Sequence, residues 1–233
     1  RPIVTQNFED PDVMTRDNYS FVRGSMVLHM LRKELGDDAW QKAIRIYVKN
    51  NGGKMVTTAD FQKAVNEAAG ENMDWFFEQW VYKMGHPIFE VTKEYDEDSR
   101  KLTLNVKQTQ KPDPTYEYPQ AEYFKGKMEI EIDGKVKTIN IEAKEKNVFS
   151  FDMPVEPKYV NFDYEASWIK EVTFTNSLRE LLQLAVESKD VSGRSWAISE
   201  LVNIAGDEKT SDKDKEKIYS ALRKICLSDS YWR

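Results

Sequence analysis

Few residues of this chain have the chemistry to act on another molecule, and their spacing limits what they can do. Two histidines, His29 and His86, stand far apart in the sequence. A protein metal site needs three or four converging donors, so they make a poor inventory for one. His29 lies beside the apolar positions Val27, Met30 and Leu31 and reads as a histidine of the core or its boundary. His86 stands between Gly85 and Pro87 and reads as structural. Glu78, inside the aromatic run FFEQW, has the setting of a carboxyl with a shifted pKa. A solvated or ion-paired side chain is the plainer reading. Cys226 is the single cysteine, which excludes an internal disulfide and leaves the compartment unassigned. Its place on an apolar stripe predicts a packed thiol rather than a nucleophile.

These residues need elements to hold them. The first third of the chain has the period of helices. Val27, Met30, Leu31 and Leu35 share one helical face, with Gly36 ending that helix and Asp37 placed to cap the next. Trp40, Ala43, Ile44, Tyr47 and Val48 form a second stripe. Thr57-Thr58-Ala59-Asp60 has the form of a capping box ahead of Phe61, Ala64, Val65, Ala68 and Ala69. Residues 73–85, MDWFFEQWVYKMG, put Met73, Phe76, Phe77, Trp80 and Val81 on one helical face, with Trp75 and Tyr82 off it. Apolar weight on more than one face predicts a helix wedged between layers. Gly85 is placed for a left-handed C-cap, and Pro87 blocks continuation.

From Ile88 the period falls to two. Phe89 with Val91, and Leu102, Leu104 with Val106, alternate with polar residues. Met128, Ile130 and Ile132 lead into Asp133-Gly134, a type I′ hairpin signal answered by Ile139 and Ile141. Val136 has the opposite parity, which allows a bulge or a two-sided strand. Phe149 with Phe151, and Val160 with Phe162, bring the count to about six or seven short strands, the pattern of a small β-sandwich. After Thr175 three apolar helical stripes follow, around Leu181, Leu201 and Ile225. They suit the start of a helical repeat array.

Net charge is −6 with a pI of about 5.2, against a general nucleic-acid partner. No run of apolar residues is long enough for a membrane span. The chain opens at Arg1 without a methionine, so a segment upstream is expected.

Three stretches, YSFVRGSMVLHMLRKELGDDAW, VTTADFQKAVNEAAGENMDWFFEQWVYKMGHPIFEV and LTLNVKQTQ, together resemble the aminopeptidase N family of zinc metallopeptidases. The resemblance implies a multidomain α and β chain. Residues 1–86 correspond to the helical C-terminal half of a thermolysin-like catalytic domain, 87–172 to a β-sandwich, and 173–233 to the start of a HEAT-like helical domain. It implies a parent that removes N-terminal residues from peptides with Zn, a peptide substrate, and the N-terminal half of the parent as this segment's partner. The family's His-Glu-x-x-His motif, whose two histidines on one helix face hold the metal, is absent here. The chain alone is therefore expected to hold no zinc and to be inactive. One family position falls inside: a tyrosine three residues before the glycine of Tyr-x-Lys/Arg-Gly, whose phenol donates to the oxyanion. Here FVRG places Phe21 in that register, and Phe has no donor. Tyr19, two residues earlier, is the remaining candidate donor if the local loop shifts by two residues. The alternative function is a non-catalytic relative that keeps the fold as a scaffold for protein–protein interaction.

Overall fold

The computed structural model describes residues 2–4 and 19–228, with Tyr19, Ser20 and Ser228 described by backbone alone. A π-helical turn, Tyr19–Arg23, runs directly into α1 (Gly24–Leu35). Then come α2 (Asp37–Asn51), α3 (Thr58–Ala69) and the short α4 (Asp74–Phe77), which widens into a second π turn, Glu78–Tyr82. Gly36 takes a left-handed φ of 78° and is itself the N-cap of α2. Asp37 is therefore the first helical residue, not the cap, and its carboxylate accepts from Arg32 at 2.6 Å. The capping box forms: Thr57 N–H donates to Asp60 at 2.8 Å.

The aromatic segment forms the wedge its pattern predicts. Met73, Phe76, Phe77, Trp80 and Val81 are all buried, and Trp75 and Tyr82 are partly buried. Two details differ from expectation. The second half is π-helical, which turns Gln79 into the protein as well. The helix ends at Lys83, not Gly85: Gly85 reaches its φ of 98° two residues later, where Met84 has already bridged to Gln120.

Seven strands follow: β1 (Ile88–Asp96), β2 (Lys101–Gln108), β3 (Gly126–Ile132), β4 (Lys135–Ile141), β5 (Lys146–Asp152), β6 (Val160–Phe162) and β7 (Glu171–Phe174). They make a four-stranded sheet in the order β5-β2-β1-β7 and a three-stranded sheet in the order β4-β3-β6. All pairings are antiparallel except β1 with β7. Asp133 and Gly134 have φ of 47° and 76°, the two positive values a type I′ turn needs. The hairpin register runs unbroken from Gly126↔Ile141 to Ile132↔Lys135, so there is no bulge at Val136, whose side chain is exposed.

Apolar side chains of both sheets and of α1–α4 belong to one continuous core. Ring contacts trace it: Trp40 to Phe61 (6.3 Å) and Phe61 to Phe77 (6.1 Å) on the helical side. On the sheet side Trp80 meets Phe124 (4.8 Å) and Trp168 (5.7 Å), and Phe89 meets Phe162 (5.7 Å). The last three helices, α5 (Leu178–Glu187), α6 (Val191–Gly206) and α7 (Asp212–Ser228), bury a second cluster. Tyr159 is the one residue of the strand region among its buried members. Between β6 and β7 the chain passes through Asp163, Glu165 and Ala166, all with positive φ (61°, 64°, 49°), a backbone state costing side chains other than glycine about 1–3 kcal/mol each.

Candidate functional site

The only sequence-predicted catalytic position lies in the first π turn. Its breadth comes from i to i+5 hydrogen bonding, which inserts one residue per turn, and such turns often occur at functional sites. Phe21 stands three residues before Gly24 and Tyr19 five before it, both inside Tyr19–Arg23. The Tyr19 side chain lies outside the described residues. Phe21 is 67% exposed and Val22 is 58% exposed, so neither anchors the turn in the core. The anchor is Arg23, whose guanidinium donates to the carbonyl of Gly85 at 2.9 Å. The turn that carries Tyr19 is thus tied to the segment that leaves the wedge for the sheets.

That segment forms a narrow junction. Met84 N–H donates to Pro119 at 2.9 Å, and Ile3 N–H donates to Val81 at 3.1 Å. His86 faces Glu171 at 2.8 Å, at the start of the parallel β1–β7 pairing. Two buried glutamines complete it. Gln79 donates to the carbonyl of Lys125 (3.0 Å) and accepts from its N–H (2.9 Å). Gln108 does the same for Phe124, at 2.8 Å each way. The chain between β2 and β3 lacks a strand partner there, and the two side-chain amides stand in for one.

Sequence reasoning missed both glutamines. Gln108 was legible, because it continues the inward parity of Leu102, Leu104 and Val106. Gln79 was not, because only the π turn rotates it off the solvent face.

The other singled-out residues do not converge on the π turn. His29 is half-buried on α1. Glu78 is exposed and pairs with Lys83 at 3.2 Å. Cys226 is exposed, against the packed thiol expected. On α7, Ile218 and Ile225 face the neighbouring helices, and Cys226 lies one residue past that face. Among the described residues no group of three or more His, Cys, Asp or Glu could hold a metal ion. Among them also, no helix is long and apolar enough to cross a membrane.

Phe21 and Val22 of the π turn and Leu28 of α1 are exposed, while Val27, Met30 and Leu31 of α1 are buried.

Against known proteins, the peptidase family M1 domain matches residues 2–80. Aminopeptidase N of Lactococcus lactis subsp. lactis is 32% identical over 88 residues, 38% of this chain and 10% of that protein. Puromycin-sensitive aminopeptidase of Caenorhabditis elegans is 30% identical over 88 residues, 38% of this chain and 9% of that protein. The matched stretch thus spans about a tenth of these relatives. Among solved structures, aminopeptidase A of Legionella pneumophila, crystallised with aspartic acid, superposes on 99% of this chain with a TM-score of 0.82. It shares 17% identity, and the match covers 27% of its length, so the likeness is one of fold.

Proposed function

Because this chain belongs to the aminopeptidase N-like family of M1 metallopeptidases, we propose that it is the rear portion of an enzyme that removes N-terminal residues from peptides. In this reading residues 1–86 are the helical second half of the thermolysin-like catalytic domain. Residues 87–172 are the β-sandwich that braces it, and 173–233 begin a HEAT-like helical domain. The observation that carries the reading is a patch of exposed apolar side chains, Phe21 and Val22 of the turn that holds Tyr19 and Leu28 of the helix that follows it. The preceding half of a catalytic domain is the natural cover for it.

The zinc that the family resemblance implies belongs, in this reading, to that preceding half. This chain's contribution is positional. Arg23 on Gly85 ties the π turn to the segment that leaves the wedge, Gln79 ties the wedge to the brace, and Gln108 holds the brace's own connection between β2 and β3. Tyr19 is the proposed oxyanion donor, a role worth about 3 kcal/mol of barrier for one such hydrogen bond. The partners are a peptide and the N-terminal half, with neither nucleic acid nor membrane.

The purified chain is expected to bind no zinc tightly and to leave aminoacyl anilides intact. Joined to the preceding half of its parent, it is expected to support hydrolysis, with Tyr19→Phe lowering kcat about 100-fold. One tight zinc per isolated chain, or hydrolysis by it, contradicts the reading. If Tyr19→Phe is silent while Phe21→Tyr accelerates the reaction, the donor register lies at position 21. Phe21 also favours the second reading, a non-catalytic scaffold with the same fold. A parent whose preceding half lacks His-Glu-x-x-His selects it.

A further inference from the structure

The joint between the sheets and the last three helices is polar and tightly keyed. Glu131 of β3 is fully buried and accepts from Tyr159 (3.1 Å) and Ser188 (2.5 Å). Asn161 of β6 donates to Asp190 at 2.9 Å, and Asp190 caps α6 through the N–H groups of Ser192 and Gly193. A Cβ on Gly193 would come within 2.4 Å of the Asn161 amide, so α6 packs directly on that side chain at a position that admits only glycine. Beside this contact a solvent-open cleft of about 100 Å³ is lined in part by Phe162, Phe174 and Trp196.

The left-handed segment Asp163–Ala166 closes over the same place and is held from two sides. Glu165 N–H donates to Asp190 at 2.9 Å. The Glu165 carboxylate meets Lys33 of α1 at 2.6 Å, and Lys33 also reaches Glu129 at 3.1 Å. Backbone in this state persists only where its surroundings hold it. Asp163 is held within its own loop by Ser167, Trp168 and Lys170, whereas Glu165 is held from α1 and from the start of α6.

We propose that Asp163–Ala166 is a strained latch that couples α1 to the docking of the helical unit α5–α7, which swings away from the sheets as a body when the latch is released. Opening exchanges for solvent the left-handed loop, the bonds of Glu131 and Asp190, and the ion pairs Lys93–Glu180 and Lys158–Glu187. It leaves the apolar cluster of α5–α7 intact, because that cluster lies almost wholly within the three helices. The inference stands on this joint alone and holds whether or not the chain serves a peptidase.

Cys226 supplies the test, as the single and exposed cysteine on α7. A second cysteine at exposed Val148 on β5 allows spin labels on both, and pulsed dipolar spectroscopy on the full chain then reads their distance. The parent pair is expected to show one dominant narrow distance. Lys33→Met removes the clamp from α1 and is expected to raise a second, longer population about fivefold, the range of a partly exposed ion pair. Adding Ala166→Asn, a residue that tolerates left-handed backbone, is expected to reduce that population again. Gly193→Ala forces the docked faces apart and is expected to make the longer distance the major one. A single unchanged distance in both Lys33→Met and Gly193→Ala overturns the proposal. A second distance that Ala166→Asn leaves unaltered overturns the part played by strain. Should Gly193→Ala fail to fold, Lys33→Met alone decides.

Discussion

The molecule has two internal joints, and they are built on opposite principles. Where α1–α4 meet the sheets, the joint is apolar and continuous, and Trp80 packs tilted against Phe124 and edge-to-face against Trp168 with no break in the core. Where α5–α7 meet the sheets, the joint is a network of carboxylates, amides and hydroxyls around Glu131, Asn161 and Asp190. Burial of apolar area is strong and tolerant of small displacements. Hydrogen-bond networks contribute little net free energy, but they fix one geometry and are costly when half-broken. The first joint therefore makes one folding unit of two regions, and the second sets an orientation between regions that can part.

Breaking the first joint is expected to have the largest effect. Trp80→Ala removes a fully buried indole and leaves a cavity, a loss of about 3–5 kcal/mol, read as a fall in the urea midpoint of helices and strands together. Gln108→Leu keeps the volume but orphans the N–H and C=O of buried Phe124, about 2–4 kcal/mol by the same measurement. At the second joint, Asp190→Ala removes the cap of α6, about 1–2 kcal/mol. That loss is expected in the unfolding of α5–α7 alone, leaving the Trp80 region unaltered by fluorescence.

The smallest effect is a pH dependence at the start of α5. Burial pushes the Glu180 carboxyl up, but the Lys93 ammonium at 2.9 Å and two bonds from Ser177 outweigh it and hold it below the ordinary value. A carboxyl lowered in the folded state stabilises fully above its unfolded value, about 4.3, and that share is lost as pH falls through the folded value. Melting of α5–α7 from pH 6 to 2 is expected to lose less than about 1 kcal/mol by this route, and Glu180→Gln to remove it.

Much of this was legible in the sequence. The wedge could be read from Met73, Phe76, Phe77, Trp80 and Val81, and the hairpin from Asp133-Gly134, because spacing and turn chemistry act locally. The second joint could not. Glu131 alternates with Ile130 and Ile132 and reads as a solvent-facing residue, yet α5 and α6 cover that face from almost sixty residues away. Nor does local pattern announce the π turn that holds both Tyr19 and Phe21. Cys226 was misread for a related reason: an apolar stripe shows which residues can pack, not how much of it a neighbour covers.

Hydrogen exchange followed by mass spectrometry across a urea series tests the contrast between the joints most directly. Peptides from α1–α4 and from both sheets are predicted to lose protection together at one urea concentration, with α5–α7 losing theirs at a lower one. Release of α1–α4 ahead of the strands, or loss of all three regions at a single concentration, would contradict the account.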